Sequence, residues 1–272
     1  MWRKSRISLF YRGGKYATLT AMEKRVNTGG MAVARSLQRH RVEVVFCVPG
    51  ESYLDILDAL YGLGDDITVV QCRHEHGAAN MAEAYGKLTG KPGVCLVTRG
   101  PGACNAAIGV HTAFQDSTPL VLIIGQVARP HLGREAFQEV DYRKMFAPLA
   151  KWVDQADHGD EIPEMLNRAF QAALSGRPGP AVLAFPEDIL GENISSSDPE
   201  PLEVASFRPD TAAMERLSGM LNEAKRPVMM VGGGGWSARA REDIAAFADG
   251  DFELDLIVEE VGLGLADVEA QP

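Results

Sequence analysis

Glu75 is the side chain of this sequence best placed to do chemistry. It follows a strand-like run, Ile67–Cys72, and precedes a helical segment rich in small residues. Its carboxylate is therefore predicted at the carboxyl edge of a parallel sheet, where ligands bind in open α/β folds. A partly desolvated carboxylate can share a proton with a heterocyclic nitrogen. A salt bridge to Arg73, or a favourable charge at the helix N-terminus, explains Glu75 at least as well.

The elements around Glu75 are predicted from short apolar runs that alternate with amphipathic segments. Six runs are predicted strands: Val42–Pro49, Ile67–Cys72, Gly93–Thr98, Leu120–Gln126, Leu149–Val153 and Ala181–Pro186. Five segments have helical spacing: Gly30–His40, Ser52–Leu63, Glu75–Thr89, Ala103–Phe114 and Ile162–Ser175. The alternation predicts an α/β fold, a doubly wound parallel sheet covered on both faces with right-handed crossovers. A glycine-rich loop, Gly100-Pro101-Gly102, follows the third strand.

The chain divides into four predicted regions: an N-terminal extension (1–28), the α/β domain (29–190), a polar linker (191–210) and the start of a second α/β unit with an acidic tail (211–272). The second unit reads as helix Thr211–Ala224, strand Pro227–Val231, glycine turn Gly232–Gly235, helix Ala238–Ala248 and strand Leu254–Val258. One repeat is too little to bury a sheet on both faces. The glycine turn could cradle a phosphate or be a simple tight turn.

Composition narrows the function classes. The 272 residues are 46% hydrophobic and 24% charged, as in ordinary globular proteins. A formal net charge of −10 argues against a nucleic-acid or anionic-membrane surface, because phosphate groups are bound by clustered Lys and Arg. No apolar run approaches the roughly 20 residues that span a bilayer. The expected location is the cytoplasm.

Cysteine and histidine spacing predicts no metal site. The four cysteines contain no C-x-x-C pair and are expected to be mostly buried free thiols. His74 and His76 flank Glu75, but no third ligand is evident nearby. Residues 1–22 hold five basic residues and no acid, as in a transit peptide for organellar import. The preferred interpretation is that Met22 is the natural first residue.

Four segments, in order along the chain, resemble the pyrimidine-binding domain of thiamine-diphosphate enzymes of the acetolactate synthase group. They are VFCVPGESYLDILDAL, RHEHGAANMAEAYGKLTGKPGVCLVTRGPGACNAAIGVHTAFQDSTPLVLIIGQV, FQEVDYRKMFAPLAKWV and SGRPGPAVLAFPEDI. The resemblance extends from about Gly29 to Leu190. The second unit resembles the start of that group's central domain.

The resemblance implies a cofactor, thiamine diphosphate, and a set of residues that contact it. Glu75 matches the glutamate that hydrogen-bonds N1′ of the aminopyrimidine and so promotes loss of the thiazolium C2 proton. Pro49 and Gly50 match a turn that approaches the cofactor. Thr98 and Asn105 match the wall near the aminopyrimidine, although Asn105 could equally cap a helix.

Gln138 matches a glutamine that reaches the active site of acetolactate synthases, and it is a second candidate catalytic residue. Its neighbour Phe137 could line a substrate pocket, but a place in the core is the safer expectation. The resemblance implies anionic 2-oxo acids as substrates. One departure bears on them, because Glu187 stands where the group has a lysine. If Glu187 lies close to the site, such substrates are less favoured.

A second departure concerns the diphosphate. In the group a third domain binds it through Mg²⁺ with a G-D-G…N signature, and this sequence shows no such segment. The chain alone is therefore expected to bind the cofactor poorly and to be inactive. A structural FAD is possible but doubtful, since only one repeat of the central domain is present.

Three interpretations of the chain stay open. It could be a truncated, acetolactate-synthase-like carboligase or decarboxylase. It could be the pyrimidine-binding chain of a two-chain decarboxylase, which works with a diphosphate-binding partner. It could also be a non-catalytic dimerisation module. The expected partners are a second copy of the chain or a diphosphate-binding chain.

Overall fold

The structure is a computed structural model that describes residues 27–205, 208–233 and 236–250, with the backbone alone of residues 255–258. The expectations for residues 1–26 and for the acidic tail after residue 258 lie outside the described residues. Helices and strands alternate along the described chain, which confirms the predicted α/β class. The strands are β1 Val44–Cys47, β2 Thr68–Gln71, β3 Gly93–Val97, β4 Leu120–Gln126, β5 Trp152–Gln155, β6 Pro180–Pro186, β7 Val228–Val231 and β8 Asp255–Val258. The helices are α1 Gly29–Arg39, α2 Leu54–Gly62, α3 Glu75–Thr89, α4 Pro101–Gln115, α5 Tyr142–Phe146, α6 Ile162–Leu174, α7 Glu187–Gly191, α8 Thr211–Glu223 and α9 Ala238–Ala248.

The main sheet has six strands in the order β2-β1-β3-β4-β6-β5, and every neighbouring pair is parallel. The chain steps outward from β1 to β2, crosses back over β1 to β3, and then continues in the other direction. The winding therefore reverses between β1 and β3. In doubly wound sheets a ligand crevice opens at this reversal, outside the carboxyl ends of the strands.

Two apolar cores fill the two faces of the sheet. Side chains from α1, α2 and α6 form one core, and side chains from α3, α4 and α5 form the other. Strand β3 contributes side chains to both cores. Val94 and Leu96 enter the first core, Cys95 and Val97 enter the second, and all four are fully buried. The alternation follows from the two-residue period of a strand.

Two local expectations were wrong, and two short helices were missed. Strand β5 begins at Trp152, because the amides of Leu149 and Ala150 close the end of α5 by donating to the Phe146 carbonyl at 2.9 Å. Strand β2 is largely exposed, because it lies at the edge of the sheet and has one neighbour. The short helices α5 and α7 were not predicted, since five residues carry too little periodicity to be recognised.

The first half of the predicted linker packs on the domain. Asn193 forms a β-bridge with Thr28, and Ile194 is buried. Further along, Asp198 forms an ion pair with Arg35 at 2.6 Å. The chain is thus held against α1 well after β6 ends.

The second unit has the predicted order α8, β7, α9, β8, and β7 pairs in parallel with β8. Gly234 and Gly235, half of the predicted glycine turn, lie outside the described residues. Several apolar side chains of this unit are exposed: Met214, Leu217, Met220, Val228, Met230 and Phe247. No described helix combines the length and the apolar character that crossing a bilayer requires.

Candidate functional site

Glu75 is the first residue of α3, as predicted, and lies at the carboxyl end of β2. The preceding residue, His74, caps the helix, because its Nδ1 accepts a hydrogen bond from the His76 amide at 3.2 Å. Small residues follow, and Ala78, Ala79 and Ala82 are fully buried. The helix can therefore pack closely, with Ala79 against Gly109 of α4 and Ala82 against Gly93 of β3. The local sequence therefore fixes the starting point of α3 and with it the Glu75 side chain.

The Glu75 carboxylate is half-buried and held on one side. Asn105 Nδ2 on α4 donates to Glu75 Oε2 at 3.0 Å. Asn105 does not cap α4, which starts after Gly100, so that expectation was wrong. No ion pair joins Glu75 to Arg73, and Oε1 accepts no hydrogen bond from the described residues. Oε2 is therefore held in one orientation, while Oε1 stays available to accept a hydrogen bond.

Glycines keep the surroundings of this carboxylate clear. A Cβ atom on Gly102 would lie 3.4 Å from Glu75 Oε1 and 2.9 Å from Thr98 Cγ2. A Cβ on Gly50 would lie only 2.5 Å from Thr98 Cβ. Larger residues at these two positions would therefore collide with Thr98, so the glycines let the turn after β1 lie close to the loop after β3. Pro49, also a predicted site residue, is exposed at the beginning of that turn.

The turn after β1 is bonded to the end of β3. The hydroxyl groups of Ser52 and Thr98 share a hydrogen bond of 2.9 Å. Tyr53 is buried beside them, and its hydroxyl donates to the Leu96 carbonyl at 3.4 Å as well as to the Val48 carbonyl. Burial raises the pKa of Tyr53, so its hydroxyl stays protonated and remains a donor.

Gln138 lies over the glycine-rich loop. Gly100 has a φ of +52°, which favours glycine, and a Cβ there would be 2.7 Å from the Gln138 carbonyl oxygen. The Gly100 amide donates to the Tyr142 hydroxyl at 2.8 Å. Burial raises the pKa of Tyr142 to about 12. Gln138 therefore lies beside the glycine-rich loop, at the same edge of the sheet as Glu75; its part in an active site stays a prediction.

The segment that carries Gln138 is tied to the sheet. Gln126, buried at the end of β4, donates from Nε2 to the Val140 carbonyl at 2.8 Å. Phe137 is 76% exposed, so its expected place in the core was wrong.

Arg99 is a feature of this edge that the sequence analysis missed. Its guanidinium forms ion pairs with Glu51, after β1, and with Glu187 at 3.2 Å, after β6. The feature of the sequence that could have pointed to Arg99 is its position, as a charged residue between a buried strand and a glycine-rich loop. Glu187, the departure from the lysine of the resembled group, is therefore at this edge and is paired with a cation.

Arg129 forms a second ion pair on the next residue of α7. Its Nε lies 2.7 Å from Asp188 Oδ2, and its backbone amide donates to Asp188 Oδ1 at 3.0 Å. Burial alone would raise the pKa of Asp188, but the hydrogen bonds from Arg129 outweigh it and lower that pKa. Arg129 also pairs with Glu192. The loops after β4 and β6 are thus joined.

The donor set suits an organic heterocycle better than a cation. Within the residues that the structure describes, no group of three or more His, Cys, Asp or Glu could hold a metal ion. The open carboxylate oxygen of Glu75 can accept a hydrogen bond from a nitrogen-bearing ring. Residues 49, 50, 75, 98, 105 and 138 all belong to this one edge of the sheet.

Comparison with known proteins agrees with this geometry. Residues 27–145 match the family described as thiamine pyrophosphate enzyme, N-terminal TPP binding domain. The chain is 37% identical to the acetolactate synthase large subunit of Corynebacterium glutamicum over 82% of its length, which is 36% of that protein. It is 39% identical to the acetolactate synthase isozyme 3 large subunit of Escherichia coli over 87% of its length, or 42% of that protein.

The chain thus spans about two fifths of the length of these relatives, and the residues matched by the family model include positions 49, 50, 75, 98, 105 and 138. Residues 27–145 thus match the N-terminal TPP binding domain of the thiamine pyrophosphate enzyme family, in a chain that is similar in sequence to acetolactate synthase large subunits.

Proposed function

We infer that this chain supplies the aminopyrimidine-binding half of a thiamine diphosphate site in an acetolactate-synthase-like enzyme that acts on 2-oxo acids. The observation that carries the proposal is the Glu75 carboxylate, with Oε2 held by Asn105 and Oε1 left open beside Gly102. The similarity to acetolactate synthase large subunits supports the reaction class.

Glu75 is assigned the role of proton partner for N1′ of the aminopyrimidine. The hydrogen bond from Asn105 holds the carboxylate in one orientation, so Oε1 is preorganised for a ring nitrogen. Gly50 packs directly against Thr98, and we assign these two residues to one wall of the site. Thiamine diphosphate supplies the electron sink for bond cleavage next to a carbonyl, while the protein supplies position and proton.

Gln138 is the second assigned residue. It has a φ of +64° and packs on Gly100, so its segment borders the opening of the site. An amide at this position can donate to a substrate carboxylate or carbonyl. Arg99 pairs with Glu187 and also with Glu51, so it compensates only part of their negative charge. The pairing lessens the repulsion of anionic 2-oxo acids expected from Glu187 without removing it.

The diphosphate and its Mg²⁺ are assigned to another chain or domain, since the described residues offer no cluster for a cation. The proposed partner is a second copy of the chain or a diphosphate-binding chain. A flavin and a cytoplasmic location stay predictions; the colour of the purified protein tests the first, and cell fractionation tests the second.

A titration with thiamine and with thiamine diphosphate tests the proposal. A pyrimidine half-site should bind both ligands with similar affinity and without a requirement for Mg²⁺, because it holds only the part that they share. Saturation-transfer NMR should show the strongest contact at the pyrimidine protons. Glu75→Gln should weaken binding by at least about tenfold, since hydrogen bonds to charged groups contribute about 1.5–3 kcal/mol.

The matched control is Glu43→Gln. Glu43 precedes the amino end of β1 and pairs with Lys91, away from the site. It should leave thiamine binding unchanged. Binding that depended on the diphosphate alone, or that survived Glu75→Gln intact, would rule out the pyrimidine half-site and leave the dimerisation module as the better interpretation.

A further inference from the structure

Arg99 is the most buried charged group at the site edge. Its side chain is only 9% exposed, although it lies in the loop between Thr98 and Gly100. Its Nε is buried and has no hydrogen-bond partner among the described residues. An unpaired buried donor is uncommon in folded proteins and calls for a reason beyond stability.

The ion pairs of Arg99 join three connections of the sheet. Glu51 follows β1, Arg99 follows β3 and Glu187 follows β6. The backbone takes part as well, because the Arg99 amide donates to Ser52 Oγ at 3.4 Å and the same hydroxyl bonds to Thr98. Arg99 therefore fixes the loop after β3 relative to the turn after β1.

The residues beside Arg99 frame the Glu75 carboxylate. Thr98 packs against Gly50 and Gly102, and a Cβ on Gly102 would lie 3.4 Å from Glu75 Oε1. A small movement of the 98–102 loop would bring Gly102 against Oε1 or move Asn105, which follows in α4. Hydrogen-bonding groups at such sites must be held within about half an ångström to function.

We propose that Arg99 is a positioning residue for the aminopyrimidine site. Through Glu51 and Glu187 it holds the 98–102 loop at the distance from Gly50 that keeps Glu75 Oε1 open. This inference rests on the proposed function. An arginine suits the role because its planar fork binds two carboxylates in fixed directions and keeps its charge at all relevant pH values.

Arg99→Met tests the proposal, and Arg129→Met is the matched control. Arg129 also joins two loops of the same edge through two carboxylates, Asp188 and Glu192, but it does not adjoin the glycine loop. Two quantities are measured on the full chain. One is the affinity for thiamine; the other, without ligand, is the NMR shift of the Gly102 amide and the Asn105 side-chain amide.

Arg99→Met is expected to weaken thiamine binding about tenfold and to move both amide resonances, while Arg129→Met changes affinity less than twofold and moves neither. Equal behaviour of the two variants in both measurements would overturn the proposal. If Arg99→Met does not fold, Glu187→Gln replaces it and should weaken binding about threefold; unchanged affinity and unchanged resonances would again overturn it. If the unaltered chain binds no thiamine, the proposed function fails, and the ligand-free resonances alone decide the role of Arg99.

Discussion

Asn105 orients Glu75, and this contact gives the first prediction at the scale of single residues. Asn105→Ala removes the donor on Glu75 Oε2, so the carboxylate can rotate away from the pyrimidine. Thiamine affinity should fall about fivefold, as expected for the loss of about 1 kcal/mol. Asn222→Ala, at an exposed position of α8, is the control. Equal affinity in the two variants, measured by titration calorimetry, would contradict the orienting role.

Gly50 gives the second prediction at this scale. An added Cβ would meet Thr98 Cβ at 2.5 Å, so Gly50→Ala should lower the free energy of unfolding by about 1–3 kcal/mol through overpacking. Gly62, in α2, has nothing within 4 Å of its added Cβ. Gly62→Ala should instead stabilise the chain by about 0.5–1 kcal/mol. Urea unfolding measures both; a Gly50→Ala variant as stable as the unaltered chain, or more stable, would show that Gly50 is not in close contact.

At the scale of elements, a stack of two side-chain rings joins α1 to α6, and its contribution to stability is expected to depend on pH. His40, the C-cap of α1, stacks on Phe170 at 4.1 Å between ring centroids, and burial lowers its pKa from 6.5 to about 4. In the unfolded chain the His40 imidazole binds a proton below about pH 6.5, whereas in the folded chain it does so only near pH 4. Stability is therefore lost as the pH falls from about 6.5 to about 4.

The loss is about 1–2 kcal/mol, after allowance for the contact of His40 with solvent. His40→Gln removes this titration, and the carboxylates of the chain stay the same in both proteins. The difference in unfolding free energy between wild type and variant should therefore change between pH 6.5 and 4.5. A constant difference over that range would contradict the assignment.

Long elements were predictable, and contacts between distant parts of the chain were not. Helix α3 was predicted to the residue, because small residues with helical spacing end at Gly90, which has a left-handed conformation. Strand β5 was misplaced because Leu149 and Ala150 are apolar residues that pack against a core from a turn, not from a strand. The sheet topology was enough to predict that Glu75 and Asn105 lie at the same edge. The ion-pair partners of Arg99 are 48 and 88 residues away in the sequence, and no local pattern reveals them.

At the scale of the whole molecule, association is the expected behaviour. The second unit exposes apolar side chains around a sheet of two described strands, and exposed apolar surface of this kind favours contact with another chain. Light scattering of the purified chain should therefore give a dimer or a larger species. A monomer at all concentrations would contradict this prediction and favour a separate partner chain.

The proposed half-site depends on one atom, Glu75 Oε1. The edge of the sheet, the glycine-rich loop and Arg99 together determine where that atom lies. The most direct test of the half-site is the ¹⁵N chemical shift of N1′ in labelled thiamine diphosphate at saturating concentration. With the unaltered chain this resonance should move from its free position in the direction of protonation, and with Glu75→Gln it should not. A shift that is the same for both proteins, or absent from both, would contradict the account.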